Sequence, residues 1–185
     1  MRGIVFTQFL DMVEQKYNYE LVDTLLLTSN LPSGGNYTSA GTYPSSEMTH
    51  LVTNLSECTH VPAADLLREY GRFLFRTFVT NYHHFILAAP DAFSFLSTVD
   101  DYIHVEVKKL YPDAELPHFL TTRVDEDTLQ MVYHSSRRLS DLALGLIEGT
   151  LDHYQEKASI DQQMLSEDGS KVIFTIVKQG SQVAS

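Results

Sequence analysis

The stretch M-V-Y-H-S-S-R-R-L-S-D-L-A-L-G-L, residues 131–146, joins two periodicities with no spacer between them. Its first part alternates as a strand does; its second repeats every three to four residues as a helix does. Leu129, Met131 and Tyr133 fall on one strand face, and Leu139, Leu142, Ala143, Leu146 and Ile147 form an apolar helical stripe to about Tyr154. Alternate side chains of extended backbone point the same way, which predicts that Tyr133, Ser135 and Arg137 converge beside a greasy surface. Three such donors suit a carboxylate or a phosphate, because a guanidinium offers a bidentate fork. The competing reading is that they cap the following helix, with Arg137 and Arg138 a solvated pair.

Working outward, residues 117–124 and 127–134 alternate as one pair of strands. Residues 158–166 and 171–178 alternate as another, around the turn Glu167-Asp168-Gly169-Ser170. Ahead of these the chain is helical. Val5, Phe9, Met12 and Val13 share one helical face, and residues 18–29 form a second apolar helix. A Gly-, Ser- and Pro-rich surface loop follows, ending in Ser45-Ser46-Glu47, a helix start predicted to serve residues 45–57. Pro62 and Asp65 open a helix that buries Leu66, Leu67, Tyr70, Phe73, Leu74 and Phe78. Residues 90–111 read as one helix stopped by Pro112. The expected class is therefore α+β: a helical N-terminal part packed on a small antiparallel sheet crossed by one long helix. With no repeat and no linker, residues 1–185 are expected to form one domain, the tail from about 179 to 185 fraying.

The net charge of −11 argues against nucleic acid, which needs clustered Lys and Arg, and against an anionic membrane surface. No run approaches ~18 apolar residues and the N-terminus lacks a signal-peptide pattern, so an acidic cytoplasmic protein is expected. The single cysteine, Cys58, excludes a disulfide within the chain and a zinc cluster of several thiolates, and reads as a small buried hydrophobe. Phosphate-binding glycine motifs are absent, as are G-x-S-x-G and H-E-x-x-H, which leaves nucleotide binding and hydrolysis unsupported. Of eight histidines, His50 stands in one Glu-x-x-His copy where bundle di-iron sites need two. His83 and His84 are adjacent and read as loop. His104 lies among Ile103, Val105 and Val107: a core residue, an exposed one on the helix's other edge, or a ligand. The last role requires a neutral imidazole facing an apolar cavity.

The stretch I-H-V-E-V-K-K-L-Y-P-D-A-E-L-P-H-F (103–119), followed by Y-H-S-S-R (133–137), resembles the heme–nitric oxide/oxygen binding (H-NOX) family. So do the start M-R-G-I-V-F and the run L-G-L-I-E-G (144–149), and the resemblance covers essentially the whole chain. It implies that heme b is buried between the helical part and the sheet. His104 would be the proximal ligand of its iron, Tyr133, Ser135 and Arg137 would hold the propionates, and Pro117 would press on the porphyrin. The distal wall would be Val5, Phe9, Phe78, Leu142 and Leu146. Oxygen-holding members typically carry a tyrosine where Leu142 stands, so the resemblance implies a sensor of nitric oxide, with carbon monoxide a further ligand. Nitric oxide would weaken the iron–histidine bond, and release of His104 would shift its helix. The signal would pass to a separate histidine kinase or cyclic-di-GMP enzyme, the chain itself catalysing nothing. Ser140 stands where some relatives have a zinc-binding cysteine, so no zinc is expected. The rivals are a heme or non-heme iron enzyme doing oxygen chemistry, and an interaction module that has lost heme.

Overall fold

The structure, a computed structural model, describes residues 1–180. Helices α1 (Gly3–Lys16), α2 (Tyr19–Thr28), α3 (Ser46–Thr59), α4 (Ala63–Asn81), α5 (His83–Leu87) and α6 (Ala92–Ser97) come first. A π-turn, Val99–Ile103, leads into α7 (His104–Leu110). Strands β1 (His118–Arg123) and β2 (Thr128–His134), helix α8 (Ser140–His153), and strands β3 (Ala158–Met164) and β4 (Lys171–Lys178) complete the chain. The class is the expected α+β.

All three strand pairings are antiparallel, in the order β1-β2-β4-β3. The register sets Tyr133 opposite Val172, Met131 opposite Phe174 and Leu129 opposite Ile176. Alternation puts these six on one face, where they are buried with Ala143, Ile147 and Leu151 of α8 and Ala92, Phe93 and Leu96 of α6. On its other side α8 crosses α4, where Gly71 and Gly145 meet. A Cβ on Gly71 would lie 2.7 Å from both Gly145 Cα and Leu146 N, so only glycine allows this approach.

A second core fills the N-terminal helices with Phe6, Phe9, Leu25, Met48, Leu51, Leu55, Leu66 and Tyr70. The loop between α2 and α3 is clasped to it by Glu47, which is fully buried. Its carboxylate accepts from Ser33 N–H (3.0 Å), the Ser33 hydroxyl (2.6 Å) and the Tyr37 phenol (2.5 Å). Tyr37 in turn stacks on Phe6, with ring centroids 4.5 Å apart. A third cluster joins Phe75, Phe85, Ile86, Ala89 and Phe95.

Four details depart from the sequence expectations. The helix expected over 90–111 is three pieces, because the backbone winds one residue too far ahead of His104: Ile103 N–H and His104 N–H reach Thr98 O and Val99 O, five residues back. His83 and His84 begin the short α5, since Phe85 and Ile86 turn inward. Cys58 is exposed, not buried. Of the tail expected to fray, Gln179 donates its N–H to Lys157 O at 2.8 Å, and residues 181–185 lie outside the described residues.

Candidate functional site

Where the three apolar clusters meet there is a cavity of about 280 Å³. Val5 of α1, Phe78 of α4, and Leu142 and Leu146 of α8 supply part of its wall, as expected. Pro117 and His104 line it too, together with Ile103, Phe119 and Met131. Phe9 is not part of the wall. It is fully buried in the N-terminal core, edge-on to Tyr70 with centroids 5.2 Å apart. Helical spacing put Val5 and Phe9 on the same side, but the buried surface of α1 is divided. Phe6, Phe9, Met12 and Val13 face the helical core, while Val5, only half-buried, reaches the cavity. The Tyr70 phenol donates to Val5 O, which fixes this rotation of α1.

His104 opens α7 and is largely buried, its side chain 17% exposed. Burial pushes its pKa below the ordinary histidine value, against an opposing pull from Asp100, so the imidazole is neutral near pH 7. Its Nδ1 lies 3.5 Å from Asp100 Oδ1 but makes no aligned hydrogen bond. With Nδ1 turned toward that carboxylate, Nε2 on the opposite side of the ring is the nitrogen left for a ligand. A neutral imidazole on an apolar wall is the metal-ligating form of histidine.

Tyr133, Ser135 and Arg137 all line the cavity, though not by strand alternation. Strand β2 ends at His134, and a turn carries the chain on, closed by Arg138 N–H to Ser135 O (3.3 Å). The Ser135 hydroxyl accepts from Arg137 N–H (3.2 Å), and the Tyr133 phenol accepts from Leu139 N–H (3.0 Å) ahead of α8. The two oxygens cap the turn and the helix start, and each keeps its own O–H proton to donate, but Arg137 and Arg138 are not the solvated pair of the competing reading, since the Arg137 side chain is largely buried. Arg137 Nη2 lies 3.1 Å from Glu115 Oε2. Arg138 points away, 3.6 Å from exposed Asp168. Two free hydroxyls and a guanidinium can hold a carboxylate.

Arg2, Tyr82, Tyr111 and Glu115 also line the cavity, and sequence reasoning did not single them out. Arg2 sits over the Tyr111 ring at 4.5 Å, a cation–π contact joining the N-terminus to the end of α7. Residues 1–6 and 103–119 did carry the family resemblance, so that signal was present without a role attached.

The donor set fits a flat apolar cofactor with a metal at its centre and acidic groups at one edge. A largely buried imidazole, and three side chains with the donors to hold a carboxylate, line one mainly apolar cavity. The model of the Haem-NO-binding family matches residues 2–162. The Fe(II) unliganded H-NOX protein from K. algicida is similar at 40% identity and TM-score 0.94, with 100% of each chain covered. The IWP-051-bound H-NOX from Shewanella woodyi in the Fe(II)CO state has 36% identity and TM-score 0.82, covering 100% of this chain and 97% of that one. The S. oneidensis H-NOX protein in the Fe(II)NO state has 29% identity and TM-score 0.89, covering 97% and 100%. No curated protein matches. With the family model spanning most of its length and the whole fold shared, the chain belongs to the Haem-NO-binding family.

Proposed function

We propose that the chain is a heme-based nitric oxide sensor, built as one domain, that signals to a separate partner protein through release of His104 and a shift of its helix. The observation that carries this reading is the largely buried His104 on the wall of a mainly apolar cavity that Tyr133, Ser135 and Arg137 also line. When bound, ferrous heme b would supply an iron able to take up a diatomic gas. His104 would hold the iron through Nε2, and Tyr133, Ser135 and Arg137 would hold the propionates. Pro117 would bear on the porphyrin beside Phe119, whose ring lies 6.0 Å from that of His104.

On the gas side, Val5, Phe78, Leu142 and Leu146 offer no N–H or O–H. The Thr150 hydroxyl, which also lines the cavity, is already given to Leu146 O (2.9 Å). A polarised oxygen ligand would find no donor on these side chains, whereas nitric oxide and carbon monoxide bind without one. The relatives solved with NO and with CO support these two gases as ligands.

The change that carries the signal is a detached His104 moving α7, for which the π-turn Val99–Ile103 is the natural flexing point. The receiver in this reading is a histidine kinase or a cyclic-di-GMP enzyme in the same compartment, the cytoplasm. Among the described residues no helix is long and apolar enough to cross a membrane. Zinc has no part: Cys58 stands alone on α3, and the Ser140 hydroxyl accepts from Gln162 Nε2 (3.3 Å). The test is the visible spectrum of the ferrous protein. The Soret band should shift with nitric oxide and stay in place in air. A stable oxygen complex under air, or turnover of an oxidisable substrate, would favour the oxygen-chemistry enzyme instead.

A further inference from the structure

We infer that Asp100 is the positioning residue of His104: its carboxylate, anchored to β1, holds the Nδ1 edge of the imidazole and ties the ring to that strand. This rests on the reading of His104 as the axial ligand. Asp100 lies in the π-turn, four residues before His104. Its Oδ1 accepts the Phe119 N–H at 3.0 Å, and lies 3.5 Å from His104 Nδ1 and 3.7 Å from His118 Nδ1. One oxygen thus faces three nitrogens on two elements.

The two histidines differ in what they need. His118 is 70% exposed and can turn to water. His104 Nδ1 is buried and, among the described residues, has no hydrogen-bond partner. A strand cap alone would explain the Phe119 contact but not the buried nitrogen facing the same oxygen. Metal-bound imidazoles nearly always give their second N–H to an acceptor. A carboxylate there fixes the tautomer, orients the ring and strengthens its donation to the metal. The anchor at Phe119 adds a mechanical link, because Pro117, two residues earlier, lines the same cavity. His104, the π-turn and the start of β1 are therefore fastened at one carboxylate.

The substitution Asp100→Asn keeps the shape and a carbonyl acceptor for the Phe119 N–H but removes the charge. Wild-type and variant ferrous proteins, both heme-loaded, are compared by resonance Raman spectroscopy and redox titration. The iron–histidine stretch should move to lower frequency in D100N, and the midpoint potential should move positive. A variant with wild-type heme content and unmoved band and potential overturns the inference. His118→Ala should leave the band in place; if it moves the band as D100N does, the carboxylate acts through His118 and the inference fails. Should D100N not take up heme, nitrogen-15 spectra of wild-type apoprotein decide. A His104 proton on Nδ1 supports the inference, and one on Nε2 overturns it. Failure of the underlying reading looks different, since wild type would then show no iron–histidine band at all.

Discussion

Replacing Arg137 with alanine separates two roles of one side chain. The guanidinium is 13% exposed, and its partner Glu115, 3.1 Å away, is 85% exposed. With one member in water, such a pair contributes no more than about 1 kcal/mol. A chain of this length loses about 2–4 °C of melting temperature per kcal/mol, so the heme-free variant should melt within about 4 °C of wild type. Against a propionate the same group would make charge-assisted bonds worth roughly 1.5–3 kcal/mol each. Loss of one such bond weakens heme binding by roughly tenfold to somewhat over a hundredfold. Heme transfer to excess apomyoglobin, followed in the visible band, reads the difference as a correspondingly faster loss. Transfer rates within twofold of wild type would refute the placement of the propionates. So would a drop in apoprotein stability as large as the drop in retention, since Arg137 would then be structural.

Two other substitutions test the frame around the cavity. Burial works to raise the Glu47 pKa, but donors from Ser33 and Tyr37 more than offset it and hold it below the ordinary value of 4.5. A carboxyl depressed on folding stabilises fully above its unfolded pKa, and that stability is lost as pH falls through the folded one. The melting-temperature gap between wild type and Glu47→Gln should therefore narrow on acidification below 4.5; a gap constant down to about pH 3 contradicts the reading. A Cβ on Gly145 would collide with the Arg68 carbonyl and lie 2.9 Å from Gly71 Cα, neither of which is a flexible side-chain end. Gly145→Ala should cost about 1–3 kcal/mol and lower the melting point by several degrees; an unchanged melt would mean that the α4–α8 crossing is looser than it stands.

Much of this was legible in the sequence because burial imposes period. The alternation of Leu129, Met131 and Tyr133 and, from the helical stripe, Ala143 and Ile147 report the same core, while Leu139, Leu142 and Leu146 of that stripe pack on the N-terminal helices. His104 could be singled out by its apolar neighbours, but whether it faced a cavity depended on the π-turn, and a one-residue bulge leaves no mark on apolar spacing. The family resemblance implies Phe9 on the cavity wall, and spacing could not correct it, because spacing reports that a helix face is buried, not which of two neighbours covers it. Tyr133, Ser135 and Arg137 all line the cavity, but the chain turns after His134, and backbone N–H groups, not strand pleating, hold the two hydroxyls. Glu115 and Asp100 read as ordinary acids among many. Their placement comes from tertiary contacts, with Arg137 and with the Phe119 backbone, that no local pattern encodes.

The most direct measurement of the central claim is the absorption spectrum of His104→Ala, expressed with ample heme and read with and without imidazole. The variant should lose heme or its axial bond, and added imidazole should restore a ferrous spectrum like that of wild type. A variant that keeps the wild-type ferrous spectrum without imidazole would mean that another residue holds the iron.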